Sequence, residues 1–68
     1  MMQITLKAAR VNANLTQKEV GESVGVGRDT IASWEAGATF PDVLSFKKLC
    51  DMYGVSMDEI IFLPQRST

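Results

Sequence analysis

Among 68 residues, the side chains that could do chemistry are few, and the missing ones narrow the field. There is no histidine, so the commonest general base and metal ligand is absent. The single cysteine, Cys50, can form neither an internal disulfide nor a multi-cysteine zinc site. No paired carboxylates mark a cleft, and so small a body is poorly suited to excluding water around a reaction. An enzyme is therefore not expected, nor a metal, a cofactor or a small-molecule ligand. What remains is hydrogen-bond recognition. "LTQKE" sets Gln17 and Lys18 directly behind a threonine, and "GVGRDTIAS" brings Arg28, Asp29, Thr30 and Ser33 close together. An arginine presents paired donors that match guanine O6 and N7, and an aspartate can accept from cytosine N4. The start of a helix adds backbone N–H groups that point at anions.

The chain as a whole does not advertise an anionic partner. Its net charge is −1, so any such partner must be met by a local face. Sixty-eight residues make one small domain, which buries only roughly 60% of its unfolded surface. The hydrophobic fraction of 46% is that of an ordinary globular protein. "MMQITLKAAR" interrupts its apolar residues too often for a signal peptide, and no run approaches the length of a membrane span. A cytoplasmic protein that keeps Cys50 reduced is expected.

The elements that must carry these residues read as five short helices, an all-α compact fold with no strand and no repeat. Thr5 precedes a first helix over 6–13, with Leu6, Ala9, Arg10 and Ala13 on one face. Thr16 and Glu19 form a capping box that opens a second helix over Gln17–Val24, with Val20 and Val24 inward. A third helix comes next over Arg28–Ala36, with Ile31, Trp34 and Glu35 on its inner side. Asp42 caps a fourth over Val43–Tyr53, whose stripe is Val43, Phe46, Leu49, Cys50 and Tyr53. A second capping box, Ser56 to Glu59, is expected to open a last helix that runs through Phe62. The domain is placed at 1–63, and 64–68 is expected to be a short frayed tail.

Three glycines crowd the second helix and the turn after it, although glycine is worse than alanine in a helix by about 1 kcal/mol. Gly25 suits the left-handed residue that ends the second helix. Gly27 stands where the cap of the third belongs. Gly21 lies one turn before Gly25, where a side chain larger than a methyl would hold the two helices apart. Two helices that meet steeply through a short glycine-containing turn make a helix-turn-helix.

With those residues in place, "LTQKEVGESVGVGRDTIASWEAGATFPD" and "LCDMYGVSMDEII" together resemble the lambda-repressor and Cro type of helix-turn-helix domain. The likeness spans residues 4 to 62 and rests on several linked features rather than on any single one. It implies a sequence-specific transcriptional regulator of bacterial or phage type, a repressor, that binds double-stranded DNA with its third helix in the major groove. It also implies a homodimer, at least on DNA, that reads an inverted-repeat operator. Gln17, Lys18, Gly27, Arg28, Asp29, Thr30 and Ser33 become the DNA-facing set. Relatives commonly carry serine or threonine at the cap occupied by Gly27, and alanine where this chain has Gly21. Relatives also pair an arginine with a glutamate at the positions of Arg10 and Glu35, which makes Arg10 structural rather than a DNA contact.

Each of these residues has a plainer reading. Gln17 is also at home as a solvated first-turn residue and Lys18 as a surface lysine. Asp29 would repel phosphates, and can instead orient Arg28. Trp34 repeats with Ile31 and belongs to the core, and Cys50 reads as a small buried hydrophobe. "GVGRDT" lacks both the preceding strand and the third glycine of a dinucleotide loop. Leu44, Met57, Ile61 and Phe62 are left over once the core is filled, either loosely packed or forming a dimer seam. The competing function is a protein-interaction module, such as the antitoxin of a toxin–antitoxin pair.

Overall fold

Thr5, Thr16 and Asp42 each turn a side-chain oxygen onto the backbone N–H three residues ahead, and a helix begins at each. In the computed structural model, which describes residues 3–62, α1 spans Leu6–Asn12, α2 Gln17–Val24, α3 Arg28–Ala36 and α4 Val43–Tyr53. At α2 the capping box is complete. The Glu19 amide donates to Thr16 Oγ1 at 3.1 Å, and the Thr16 amide donates to the Glu19 carboxylate at 2.8 Å. The bond from the Thr16 amide holds the Glu19 carboxyl below the usual carboxylate range. Gly25, at φ +88°, closes α2 in the left-handed conformation, where its N–H reaches the Gly21 carbonyl.

The expected fifth helix does not form. Met57–Glu59 make one 3₁₀ turn, and the chain then extends into β2, Ile60–Ile61. β2 pairs in parallel with β1, Ile4–Thr5, with Ile4 opposite Ile60 and Thr5 opposite Ile61. The expectation of an all-α chain without strands is corrected accordingly: four α-helices are closed by a minimal sheet that ties the beginning of the fold to its end. The cause is local. Two β-branched isoleucines prefer extended backbone, and pairing lets Ile4 and Ile60 pack against the core. The expected tail at 64–68 lies outside the described residues.

All four helices supply the core. Leu6 and Ala9 come from α1, Val20 from α2, Ile31 and Trp34 from α3, and Leu49 and Tyr53 from α4. Ile31, Leu49 and Val20 are fully enclosed, and each such side chain stabilises the fold by about 1.5–3 kcal/mol through its transfer from water. Cys50 is buried beside them, and desolvation raises its thiol above the ordinary range. Val43, expected on the α4 stripe, is instead 71% exposed. It sits in the first turn of α4, where no neighbouring element covers it, so the stripe begins at Phe46.

Gly21 is more tightly constrained than helix crossing alone requires. A methyl built on it would lie 2.6 Å from the Val26 carbonyl oxygen and 3.3 Å from the Gly27 carbonyl carbon. The close neighbour is the backbone of the turn, and even alanine is too large. Gly21→Ala should therefore fail to deliver the roughly 1 kcal/mol that alanine adds to an open helix. Gly21→Val should lower the melting temperature further, because it adds two more methyls against the same carbonyl. Thermal unfolding followed by circular dichroism checks both, and a clear rise for Gly21→Ala would show that the turn yields without cost.

Candidate nucleic-acid interface

The turn held against Gly21 sets where α3 begins, and α3 carries the polar side chains outward. Arg28, Asp29 and Ala36 are exposed, while Thr30, Ala32 and Ser33 are half-buried. At 3.6 residues per turn, Arg28, Ala32 and Ala36 form one row, and Asp29 and Ser33 form the next. Gly27 offers no side chain to cap α3, so nothing from that residue covers the first amides of the helix. Lys18 is exposed in the first turn of α2, beside the half-buried Gln17. The result is a guanidinium, an ammonium, a carboxylate, a carboxamide, two hydroxyls and a helix amino end displayed around two small alanines.

Beneath this face lies an ion pair. Arg10 Nε donates to Glu35 Oε2 at 2.6 Å, and an Arg10 Nη donates to Glu35 Oε1 at 3.3 Å. The other Nη donates to the Leu15 carbonyl at 2.8 Å. The two side chains are 11% and 5% exposed, so the pair is largely removed from water. The hydrogen bond to Glu35 raises the Arg10 pKa, against the opposing effect of burial. Burial also pushes the neighbouring Tyr53 hydroxyl up to about 12, with the negative charge of Glu35 adding to the effect. Gln17 joins the cluster, for its Nε2 donates to Glu35 Oε1 at 3.0 Å.

Lys7, Gln17, Ala32, Glu35 and Ala36 line an open depression of about 310 Å³ on this side of the molecule. Lys7 is, with Lys18 and Arg28, one of the cations that the sequence puts near the presumed DNA side, whereas Ala32 and Ala36 are not among the expected site residues. The four-residue spacing from Arg28 does mark both alanines as members of the outward row. Leu44, Met57 and Ile61 are exposed, but Leu44 borders a separate groove with Val24 and Lys48. Phe62 instead packs within the chain, its ring centroid 5.3 Å from those of Phe40 and Phe46. Among the described residues, no group of three metal-ligating side chains gathers, and no helix is long and apolar enough to cross a membrane.

The helix-turn-helix family profile matches residues 6–60, which covers all four helices and the turn between α2 and α3. The chain belongs to the XRE-type helix-turn-helix family. It is 30% identical over 66 residues to the uncharacterized HTH-type transcriptional regulator YgzD of Bacillus subtilis, covering 97% of this chain and 100% of that one. It is 33% identical over 61 residues to the cryptic phage CTXphi transcriptional repressor RstR of Vibrio cholerae, covering 90% of this chain and 55% of RstR. It is also 34% identical over 56 residues to the HTH-type transcriptional activator BcrR of Enterococcus faecalis, covering 82% of this chain and 28% of BcrR. No solved structure gives a significant match.

Within this helix-turn-helix the Arg10–Glu35 pair joins α1 to α3 across the body of the domain. Arg10→Met removes one partner and strands the Glu35 carboxylate, which should cost about 3–5 kcal/mol. That is a large share of the stability of a small domain. Urea unfolding measures it directly. An unchanged midpoint would mean that the pair holds nothing together.

Proposed function

We propose that this chain is a sequence-specific double-stranded DNA-binding transcriptional regulator that inserts α3 into the major groove. The observation that carries the reading is the α2–turn–α3 unit. Its turn backbone is packed against Gly21, and α3 presents Arg28 at an uncapped amino end beside a row of alanines. The alanines keep that surface low, so α3 can approach base edges closely enough for Arg28 and Ser33 to reach them. Arg28 is matched to guanine and Asp29 to a cytosine N4, and Thr30 and the Gly27 cap border the contact. Lys18 and Gln17, at the positive end of α2, meet the phosphates that fix the register.

A single α3 reads only a few base pairs, so the domain acts as a homodimer on an inverted repeat with half-sites about one helical turn apart. Leu44, Met57 and Ile61 supply exposed apolar surface for pairing, with Phe62 as its inward floor. Repression is the sign that needs least, because a dimer seated on an operator excludes other proteins by its bulk. The relatives include both a named repressor and a named activator. Such a protein works where the DNA is, in the cytoplasm. The competing reading, a protein-interaction module such as an antitoxin, is favoured by the exposed Phe40, Val43 and Leu44, and by there being only Lys7, Lys18 and Arg28 as exposed cations near α3 among the described residues.

Two variants separate base reading from phosphate anchoring. Arg28→Ala should cost about 1–3 kcal/mol per half-site and relax preference at one base position. Lys18→Ala should weaken all sequences alike and shallow the salt dependence by about one unit per lost phosphate contact. Binding titrations against a high-affinity duplex and its single-base variants, at several salt concentrations, distinguish the two patterns. If Arg28→Ala leaves affinity and base preference intact, α3 is not the reader and the interaction module takes its place.

A further inference from the structure

Gln17 does not stand free at the start of α2. Its Nε2 donates to Glu35 Oε1 at 3.0 Å, and the same oxygen accepts from Arg10 at 3.3 Å. A carboxamide nitrogen carries two protons. One is given to Glu35, and no hydrogen bond among the described residues engages the second, while Gln17 and Glu35 line one depression with Lys7, Ala32 and Ala36. We propose that Glu35 is a positioning residue: it holds the Gln17 carboxamide in one orientation, so that the remaining N–H meets a DNA phosphate in this depression. The inference deepens the DNA-binding reading and rests on it.

Three features of the cluster support the role. An untethered glutamine samples many rotamers, and ordering it on binding costs entropy. The bond to Glu35 meets that cost before any ligand arrives. A carboxylate this close to a phosphate would ordinarily repel it, but Arg10 Nε, 2.6 Å from Glu35 Oε2, leaves the pair neutral as a unit. Finally, Ala32 and Ala36 leave the depression open, and Lys7 on its rim provides an ammonium for the same phosphate. Helix α1 thus takes part in anchoring through Lys7 directly and through Arg10 by way of Glu35.

The test is a cycle that removes the positioning without stranding a charge. Arg10→Met and Glu35→Leu are introduced together, in the parent chain and in a Gln17→Ala chain, and affinity for the same duplex is measured. The paired replacement should weaken the parent about fivefold to tenfold per half-site, the worth of one phosphate hydrogen bond. It should add little in the Gln17→Ala chain, where there is no carboxamide to position. Equal loss in both chains would make Glu35 merely structural and overturn the inference. A parent chain that binds no duplex at all overturns the DNA reading itself. If the paired replacement does not melt cooperatively, the parent is read instead by nitrogen-15 NMR. One Gln17 Nε2 proton should exchange slowly in the free protein and the other should shift on adding duplex. Two protons exchanging like those of a solvated glutamine overturn the proposal.

Discussion

One buried carboxylate organises the molecule. Glu35 belongs to α3, accepts from Arg10 of α1 and from Gln17 of α2, and lies almost entirely out of water. A charge in that position is tolerable only when its partner and its hydrogen bonds are in place. The relative placement of three helices is therefore tied to one group. Arg10 adds a bond to the Leu15 carbonyl, which fixes the segment leading into α2. Apolar burial by Val20, Ile31 and Leu49 supplies the greater part of the driving force, but it is not directional. The ion pair supplies direction, and the Gly21 contact supplies the spacing of α2 from the turn.

The same arrangement bears on how a chain of net charge −1 can present a face to an anion. Two of the carboxylates near that face are engaged, while Asp29 stays exposed beside Arg28. Glu35 is neutralised by Arg10, and Glu19 is spent on the amino end of α2. Lys7, Lys18 and Arg28 remain exposed. On α4, Lys47 reaches Asp51 at 3.5 Å, an exposed pair worth little in itself. Exposed charges farther apart than about 8–10 Å are screened at ordinary ionic strength, so the sign of the whole chain matters less than this local distribution.

Much of the fold was legible because its boundaries are marked by residue types with a local mechanism. Thr5, Thr16 and Asp42 start helices through bonds that reach three residues ahead, and Gly25 ends one through a conformation that glycine adopts freely. Such signals need no tertiary information. The end of the domain was misread for the opposite reason. Ser56 and Glu59 do make their reciprocal bonds, but over a single 3₁₀ turn, and the fate of Ile60 and Ile61 depends on a partner strand at Ile4 and Thr5. Two residues cannot display a period. Val43 shows the same limit, since the stripe of α4 extends only over its packed turns, and the ring contacts of Phe62 with Phe40 and Phe46 join residues too far apart in sequence to show a pattern. At the candidate site, the polar residues of α3 could be placed on the outer face from spacing alone. The Arg10–Glu35 partnership came from family resemblance. The bond from Gln17 to Glu35 joins residues 18 apart in sequence and was invisible without coordinates.

The central claim is that α3 reads base pairs from a domain that pairs about a two-fold axis. Selection of bound sites from random duplex DNA at near-physiological salt tests it most directly. The expected result is enrichment of an inverted repeat whose half-sites lie about one helical turn apart, with guanine fixed at one position of each half. A pool that shows no enrichment after several rounds, from a folded protein at that salt, would contradict it.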